Sequence, residues 1–318
     1  MSYQLRAGEK LGDGVHRICR RQIELAITAS RSQRTDDRSP VHETRKHLKR
    51  ARAALRLLCG AVSREEFARA NKKLRRVADL IADIRDAEVR FQTMRHLGQL
   101  LRIEDDGIVQ EAEAFLGLEL ESFLAAFSDW KEEAAQRLKR VRSGMKEWPA
   151  DRLTCKQVRQ TVQQSYKRGR KTLRKANATP TAENFHEFRK HAKELMHQLR
   201  ILQPLHPLLF QQLVSQLEVV TEKLGSAHDL AFLEKRLIKH KRHGADDRAA
   251  ATLSELIGLR EKELQRAAAG LGEKFYRERP KDFARRISEF LDVWESTDGQ
   301  VASLRSNGFD PAVLSVSR

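Results

Sequence analysis

Val41–Leu58 reads VHETRKHLKRARAALRLL, and Phe185–Leu202 reads FHEFRKHAKELMHQLRIL. Laid over each other without gaps at an offset of 144, the two stretches are identical at nine of eighteen positions, including the block His-Glu-x-Arg-Lys-His-x-Lys. Val41, Thr44, Leu48, Ala51, Leu55 and Leu58 recur at steps of three and four, as do Phe185, Phe188, Ala192, Leu195, Leu199 and Leu202. That period puts each set on one side of a helix and predicts a stripe turned toward a core. The far side carries His42, Arg45, Lys46, Lys49 and Arg56 in the first copy, with Arg52 beside the row. In the second it carries His186, Arg189, Lys190, Lys193, His197 and Arg200. Such a row, about 14 residues long, spans roughly 21 Å of helix.

Working outward, the repeat continues. Leu74–Val89 (LRRVADLIADIRDAEV) matches Leu217–Phe232 (LEVVTEKLGSAHDLAF) at an offset of 143, with Arg85-Asp86 answering His228-Asp229. Upstream, His16-Arg17-x-x-Arg20-Arg21 is similar to Tyr166-Lys167-x-x-Arg170-Lys171. Three landmarks in one order predict a duplicated helical unit. Helices are expected from Gly14 to Ser30, from Pro40 to Cys59 after the Ser39-Pro40 start signal, and from the Ser63/Glu66 capping box to Leu101. Another is expected from Glu104 to Arg142, before the break at Trp148-Pro149. In the second half they are expected at 153–176, 181–203, 208–242 and 246–270, then from Pro280 to Trp294. Periodicity fades afterwards, which predicts a loosely ordered C-terminal tail over 296–318.

Composition agrees with an all-α chain. Sixteen Gly and seven Pro in 318 residues leave few sharp turns, which disfavours collagen-like, linker-like and turn-rich β proteins. The chain carries 61 Lys and Arg against 44 Asp and Glu, a formal charge of +17, yet is 40% hydrophobic. It is too apolar for a disordered polycation. Three cysteines without a C-x-x-C pair argue against a disulfide framework or zinc finger and fit a reducing compartment. MSYQLRAGEK has no apolar core for a signal peptide, and no run approaches a membrane span. A cytoplasmic location is the expectation.

A solvated helix face intersperses acids with bases, because like charges at i,i+4 repel. The basic positions named above include no acid, and their neighbours stand about 5–6 Å apart, inside the roughly 8 Å screening length at physiological salt. Lys167, Arg170, Lys171 and Arg174 make a third row, and Arg17, Arg20 and Arg21 a shorter fourth. These rows predict an anion-binding surface. Nucleic acid is the usual partner for such charge, but single-strand binders add aromatic platforms and sequence readers add polar groups for base edges. The rows carry no aromatics: Phe185 and Phe188 lie on the apolar side. Cations without base-reading groups suit inorganic polyphosphate, with Arg forks and Lys point charges meeting successive phosphates. Histidines at the ends of the rows add charge that varies with pH near neutrality.

The two copies of H-x-x-R-K-x-x-K, His42 to Lys49 and His186 to Lys193, resemble the paired signatures of the CHAD family, the conserved histidine α-helical domain. Arg85-Asp86 and Leu224-Gly225-x-x-His228-Asp229-Leu230 resemble the later motif of each half. The opening YQLRAGEKLGDGVHRICRRQI and the closing FYRERPKDFARRI are similar to the ends of stand-alone members. The resemblance covers residues 3–295 and implies two pseudo-symmetric four-helix units, about 14–148 and 152–295, in one elongated helical domain with a basic central channel or groove. It also implies polyphosphate binding there, through His42, Arg45, Lys46, Lys49, Arg52 and Arg56 with His186, Arg189, Lys190, Lys193 and Arg200, and targeting to polyphosphate granules and their proteins. Glu194 and Met196 stand where the first copy has Arg50 and Arg52, which points to weaker binding by the second half. No E-x-E-x-K triphosphate-tunnel motif accompanies the domain.

Rival chemistry is less well supported. His42-Glu43 with His47, and His186-Glu187 with His191, space their histidines at i,i+5, about 140° apart around a helix, too far to converge on one metal. No metal or cofactor is expected, and no catalytic residue. A phosphohistidine relay on His42 or His186 is chemically feasible, but no receiver or kinase motif accompanies it. His47 and His191 are expected to make hydrogen bonds at the helix edge, and Asp86 and Asp229 to pair with neighbouring Arg. The alternatives to a polyphosphate binder are a general nucleic-acid or RNA-binding protein, with nucleic acid otherwise a weaker competitor, and a phosphotransfer protein.

Overall fold

In the computed structural model, residues 3–33, 39–101, 107–241 and 247–306 are described. Eleven α-helices and no strand occur among them. α1 (Leu11–Arg31) leads to α2 (Pro40–Leu57), whose start matches its sequence signal: the Ser39 hydroxyl accepts from the His42 amide at 3.2 Å, and Pro40 occupies the first turn, where no amide is needed. Leu58–Gly60 tightens into a 3-10 turn. Ser63 and Glu66 form the expected capping box ahead of α3 (Arg64–Leu80).

Two expected long helices are each divided. α3 stops at Ile81, which leaves helical geometry at φ −109° and ψ 17°, and α4 (Ala82–Leu101) starts afresh. Ile81 is fully buried, so the break is held by core packing that a continuous helical period cannot reveal. Likewise α5 (Gly107–Ala126) and α6 (Trp130–Gly144) are separated at Phe127–Asp129, where Ser128 and Asp129 precede the buried Trp130. Ser and Asp favour helix starts over interiors, because their side chains compete for backbone groups. The second half has α7 (Cys155–Ala178), α8 (Ala182–Ile201), α9 (Pro207–Lys241), α10 (Asp247–Phe275) and α11 (Pro280–Ser306). α11 runs twelve residues past its expected end at Trp294; residues 307–318 of the expected tail lie outside the described residues.

Packing repeats between the halves. α1 lies on α2 as α7 lies on α8, α2 meets α3 as α8 meets α9, and α4 packs on α5 as α9 packs on α10. The halves join where α2 crosses α8 and where α4 meets α9. All twelve stripe residues predicted on α2, its 3-10 extension and α8 are buried, none more than 6% exposed. All but Thr44 belong to a large hydrophobic core shared by both halves, and each Leu that leaves water there contributes about 2 kcal/mol. A second, smaller core joins α4, α5, α9 and α10 through residues such as Met94, Leu116, Leu233 and Ile257. It is reinforced by Glu119 of α5, whose carboxylate accepts from Arg90 of α4 at 2.8 Å and from Arg236 of α9 at 2.7 Å. Along α4 the large core ends at Ile84 and the small one begins at Met94. Arg85, Asp86 and Val89 occupy the stretch between them.

Candidate anion site

A cavity of about 500 Å³ opens at that stretch, between α2, α4, α8 and α9. Nine Lys and Arg side chains and three carboxylates line it, a formal surplus of six positive charges, together with four histidines. The expected His42, Arg45, Lys46 and Lys49 come to it from α2, and His186, Arg189, Lys190, Lys193, His197 and Arg200 from α8.

Matched residues make matched bonds. Arg45 Nη1 donates to the Ala78 carbonyl at 3.0 Å, and Arg189 Nε to the Thr221 carbonyl at 3.3 Å. Donors and acceptors each correspond under the sequence repeat. Lys46 pairs with Glu43 at 2.9 Å and Lys190 with Glu187 at 2.7 Å, so each copy ties one lysine to an acid three residues earlier on its own helix. Gly225 of the L-G-x-x-H-D motif has a role here: an added Cβ would stand 3.1 Å from Arg189 Nη2, so glycine lets the guanidinium lie against α9.

The other expected cations are placed elsewhere. Arg52 donates to Asn71 Oδ1 at 3.1 Å, beyond the cavity rim. Arg56 is paired with Glu194 at 2.9 Å, so the acid that interrupts the second basic row serves as a bridge between the halves. Arg17 is clamped by Glu9 at 2.5 Å and by the Gln4 carbonyl at 3.1 Å, and Arg21 pairs with Glu24 at 2.7 Å. Arg20 Nε is buried without a partner. On α7, Lys167, Lys171 and Arg174 are exposed and Arg170 is half-buried, none of them lining the cavity.

Conversely, the cavity is also lined by Arg50, Arg85, Asp86, Glu218, His228 and Asp229, which lie outside the two basic rows. Arg50 lies over the Tyr3 ring, 5.2 Å from its centroid, and Glu218 pairs with Arg200. Arg85-Asp86 and His228-Asp229 carried a signal, since they were the second matched landmark, but one turn of basic sequence around them did not. The expected Asp–Arg ion pairs are absent among the described residues. Burial raises both carboxyls above their ordinary range, and Arg45 for Asp86 and Arg189 for Asp229 are the strongest charges opposing that rise. His47 Nδ1 makes the expected edge hydrogen bond, to Gln22 Oε1 at 2.8 Å.

Electrostatics correct one expectation. His42, His186 and His228 are pushed down to about 4, first by burial and then by cationic or imidazole neighbours: Arg85 for His42, His228 for His186 and Arg189 for His228. Buried His197 is also lowered well below its ordinary value, first by burial. These imidazoles are therefore neutral near pH 7 and add no charge there, because burial, and after it the surrounding cations, oppose another proton. Lys49 is the extreme case. Its side chain is exposed and lines the cavity, and the crowding around it, then Arg189, Arg45, Lys193 and Arg85, bring it down to about 7. Neither Lys49 nor Lys193 has an ion-pair partner among the described residues.

Among the described residues no helix is long and apolar enough to cross a membrane, and no group of three or more His, Cys, Asp or Glu side chains is arranged to hold a metal. The fold is all-helical among the described residues, and its halves meet around a cavity rich in Lys and Arg. The CHAD domain family model matches residues 17–238, most of the chain, and the protein belongs to that family. Two solved structures are similar in fold: PptA from Streptomyces chartreusis, at 14% identity and TM-score 0.57 over 84% of this chain and 99% of that one, and the CHAD domain from the plant Ricinus communis, at 17% and 0.56 over 91% and 93%. No curated protein matches the chain.

Proposed function

We propose that this chain is a non-enzymatic module that binds inorganic polyphosphate in the cavity, and that it targets or regulates at polyphosphate granules in the cytoplasm. The observation that carries the reading is the surplus of six positive charges around a space large enough for several phosphates. The family is associated with polyphosphate binding in general. In this reading residues 3–295 form one domain of two pseudo-symmetric four-helix units, about 14–148 and 152–295, and the cavity is the channel between them. Lys49 and Lys193, which have no ion-pair partner among the described residues, take phosphates directly. Arg45 and Arg189 offer the remaining guanidinium N–H groups beyond those given to backbone carbonyls. Exposed Lys167, Lys171 and Arg174 attract longer chains from outside, while Arg17, Arg21 and Arg56 are spent on ion pairs.

Polyphosphate suits the cavity better than RNA. Phe232 is the one aromatic ring of Phe, Tyr or Trp type in the lining, and its face is taken by Arg90, 5.3 Å from the centroid, with His228 stacked at 6.0 Å. No free platform remains there for a base. The test is a pulldown on immobilised long-chain polyphosphate with short-chain polyphosphate and RNA as competitors. Polyphosphate is expected to displace the protein and RNA, at equal phosphate concentration, to leave most of it bound. Equal displacement by RNA sinks polyphosphate specificity in favour of general nucleic-acid binding.

A further inference from the structure

A second cavity, of about 260 Å³, adjoins the first and shares Arg85, Val89 and Asp229 with it as common walls. Its character is different. The floor is the smaller core, through Leu97, Leu230 and Leu264, and the sides offer Gln92 and Thr93 of α4 and Ser226 of α9. Apart from Arg85, its one further cation, Arg260, is engaged by Glu263 at 2.5 Å, and Asp229 opposes Arg85. A chain of phosphates has little reason to continue past the Asp229 carboxylate into this nearly neutral groove. A neutral, flat, hydrogen-bonding group attached to a phosphate chain does.

We propose that the two cavities together form a site for a nucleotide bearing a chain of three or more phosphates, with the phosphates in the basic cavity and the base in the groove between α4 and α9. The proposal rests on the reading of the basic cavity as a phosphate site. Leu97, Leu230 and Leu264 give one face of the base apolar contact, and His96, exposed in the lining, offers a ring for stacking. Gln92 both donates and accepts, and the Thr93 and Ser226 hydroxyls do the same, which supplies partners for base edges. Asp229, at the junction, accepts from the ribose hydroxyls, which phosphate oxygens cannot offer. The groove is smaller than a typical pocket for a whole ligand, roughly 300–1,000 Å³, and so suits one end of a ligand whose other end is held next door.

The test measures ATP, inorganic tripolyphosphate and long-chain polyphosphate by titration calorimetry at one pH and one ionic strength. ATP and tripolyphosphate have the same number of phosphates, so any advantage of ATP belongs to its nucleoside. ATP is expected to bind at least about ten-fold more tightly than tripolyphosphate. Thr93→Trp, which fills the groove, is expected to erase that advantage and leave both inorganic ligands unchanged. Ser226→Tyr, at an exposed wall position, fills the groove from the opposite helix and repeats the test should Thr93→Trp disturb α4. An ATP affinity no better than that of tripolyphosphate, or an advantage that survives both replacements, overturns the nucleotide site while polyphosphate binding in the same titrations leaves the first reading standing. Failure of all three ligands overturns the first reading.

Discussion

Lys49 concentrates the electrostatics of the cavity in one side chain. Burial and four cations lower it from 10.5 to about 7, and the same surroundings hold His42, His186 and His228 at about 4 instead of 6.5. A bound polyanion sets negative charge against the neighbouring cations, so each of these groups moves up from its lowered value and takes on protons, while the burial that lowers it most remains. Because the complex binds more protons than the free protein, affinity must rise as pH falls. Lys49 contributes this effect between about 7 and 10.5, and the histidines between about 4 and 6.5. At pH 8 polyphosphate binding is expected to absorb protons, read as a dependence of the calorimetric enthalpy on the ionisation enthalpy of the buffer, and Lys49→Met to abolish most of that uptake. Buffer-independent enthalpy at pH 8 would contradict the assignment. In the free protein the sign works the same way. The folded pKa values lie below the unfolded ones, the unfolded chain binds more protons, and stability rises with pH through both windows.

At the scale of the helix, the cations divide into two kinds. Lys49 and Lys193 line the cavity without an ion-pair partner among the described residues, whereas Arg45 and Arg189 also anchor α2 to α3 and α8 to α9 through the Ala78 and Thr221 carbonyls. Lys49→Ala with Lys193→Ala is therefore expected to weaken polyphosphate binding at least ten-fold while the melting temperature holds or rises, since like-charge repulsion is relieved. Arg45→Ala with Arg189→Ala is expected to weaken binding and also to destabilise the fold. Ala78, in the last turn of α3, loses a donor to its carbonyl at about 1–3 kcal/mol, while Thr221, inside α9, keeps its intrahelical bond and loses a second one worth about 0.5–1.5 kcal/mol. Denaturant unfolding with circular dichroism separates the two pairs, and equal destabilisation would refute the division. The same helices show what sequence could and could not convey. The buried stripes of α2 and α8 and the basic residues opposite them were legible because both obey the local helical period. The break at Ile81 was not, because Ile81 leaves the helix to fill a core whose other walls are distant in sequence. Nor were Arg85, His228 and Asp229 legible as members of the site, since only the meeting of α4 with α9 brings them beside α2 and α8. Their repetition marked them, but nothing local said for what. Arg52 and Arg56 show the converse: their place in the periodic row was right, yet Asn71 and Glu194, approaching from other helices, claim them.

For the whole molecule, the +17 charge is unevenly used. A surplus of six sits around one cavity lying between two hydrophobic cores, with both halves of the chain supplying its walls. In the free protein that surplus pushes the walls apart, and a polyanion pulls on α2, α4, α8 and α9 together. Binding is thus coupled to the global fold, and ligand at one hundred times its dissociation constant adds about 2.7 kcal/mol to stability, or roughly 5 °C in melting temperature for a chain of this size. The gain must fall steeply with salt, because each phosphate neutralised releases counterions: with about six phosphates engaged, affinity drops on the order of a thousand-fold between 50 and 200 mM salt. Thermal scans with long-chain polyphosphate at a series of salt concentrations read both numbers in one experiment. Two outcomes count against the cavity. A shift that ignores salt means the ligand is not held by this charge, and a salt-sensitive shift that persists in the Lys49→Ala, Lys193→Ala protein means it is held by the outer basic rows instead.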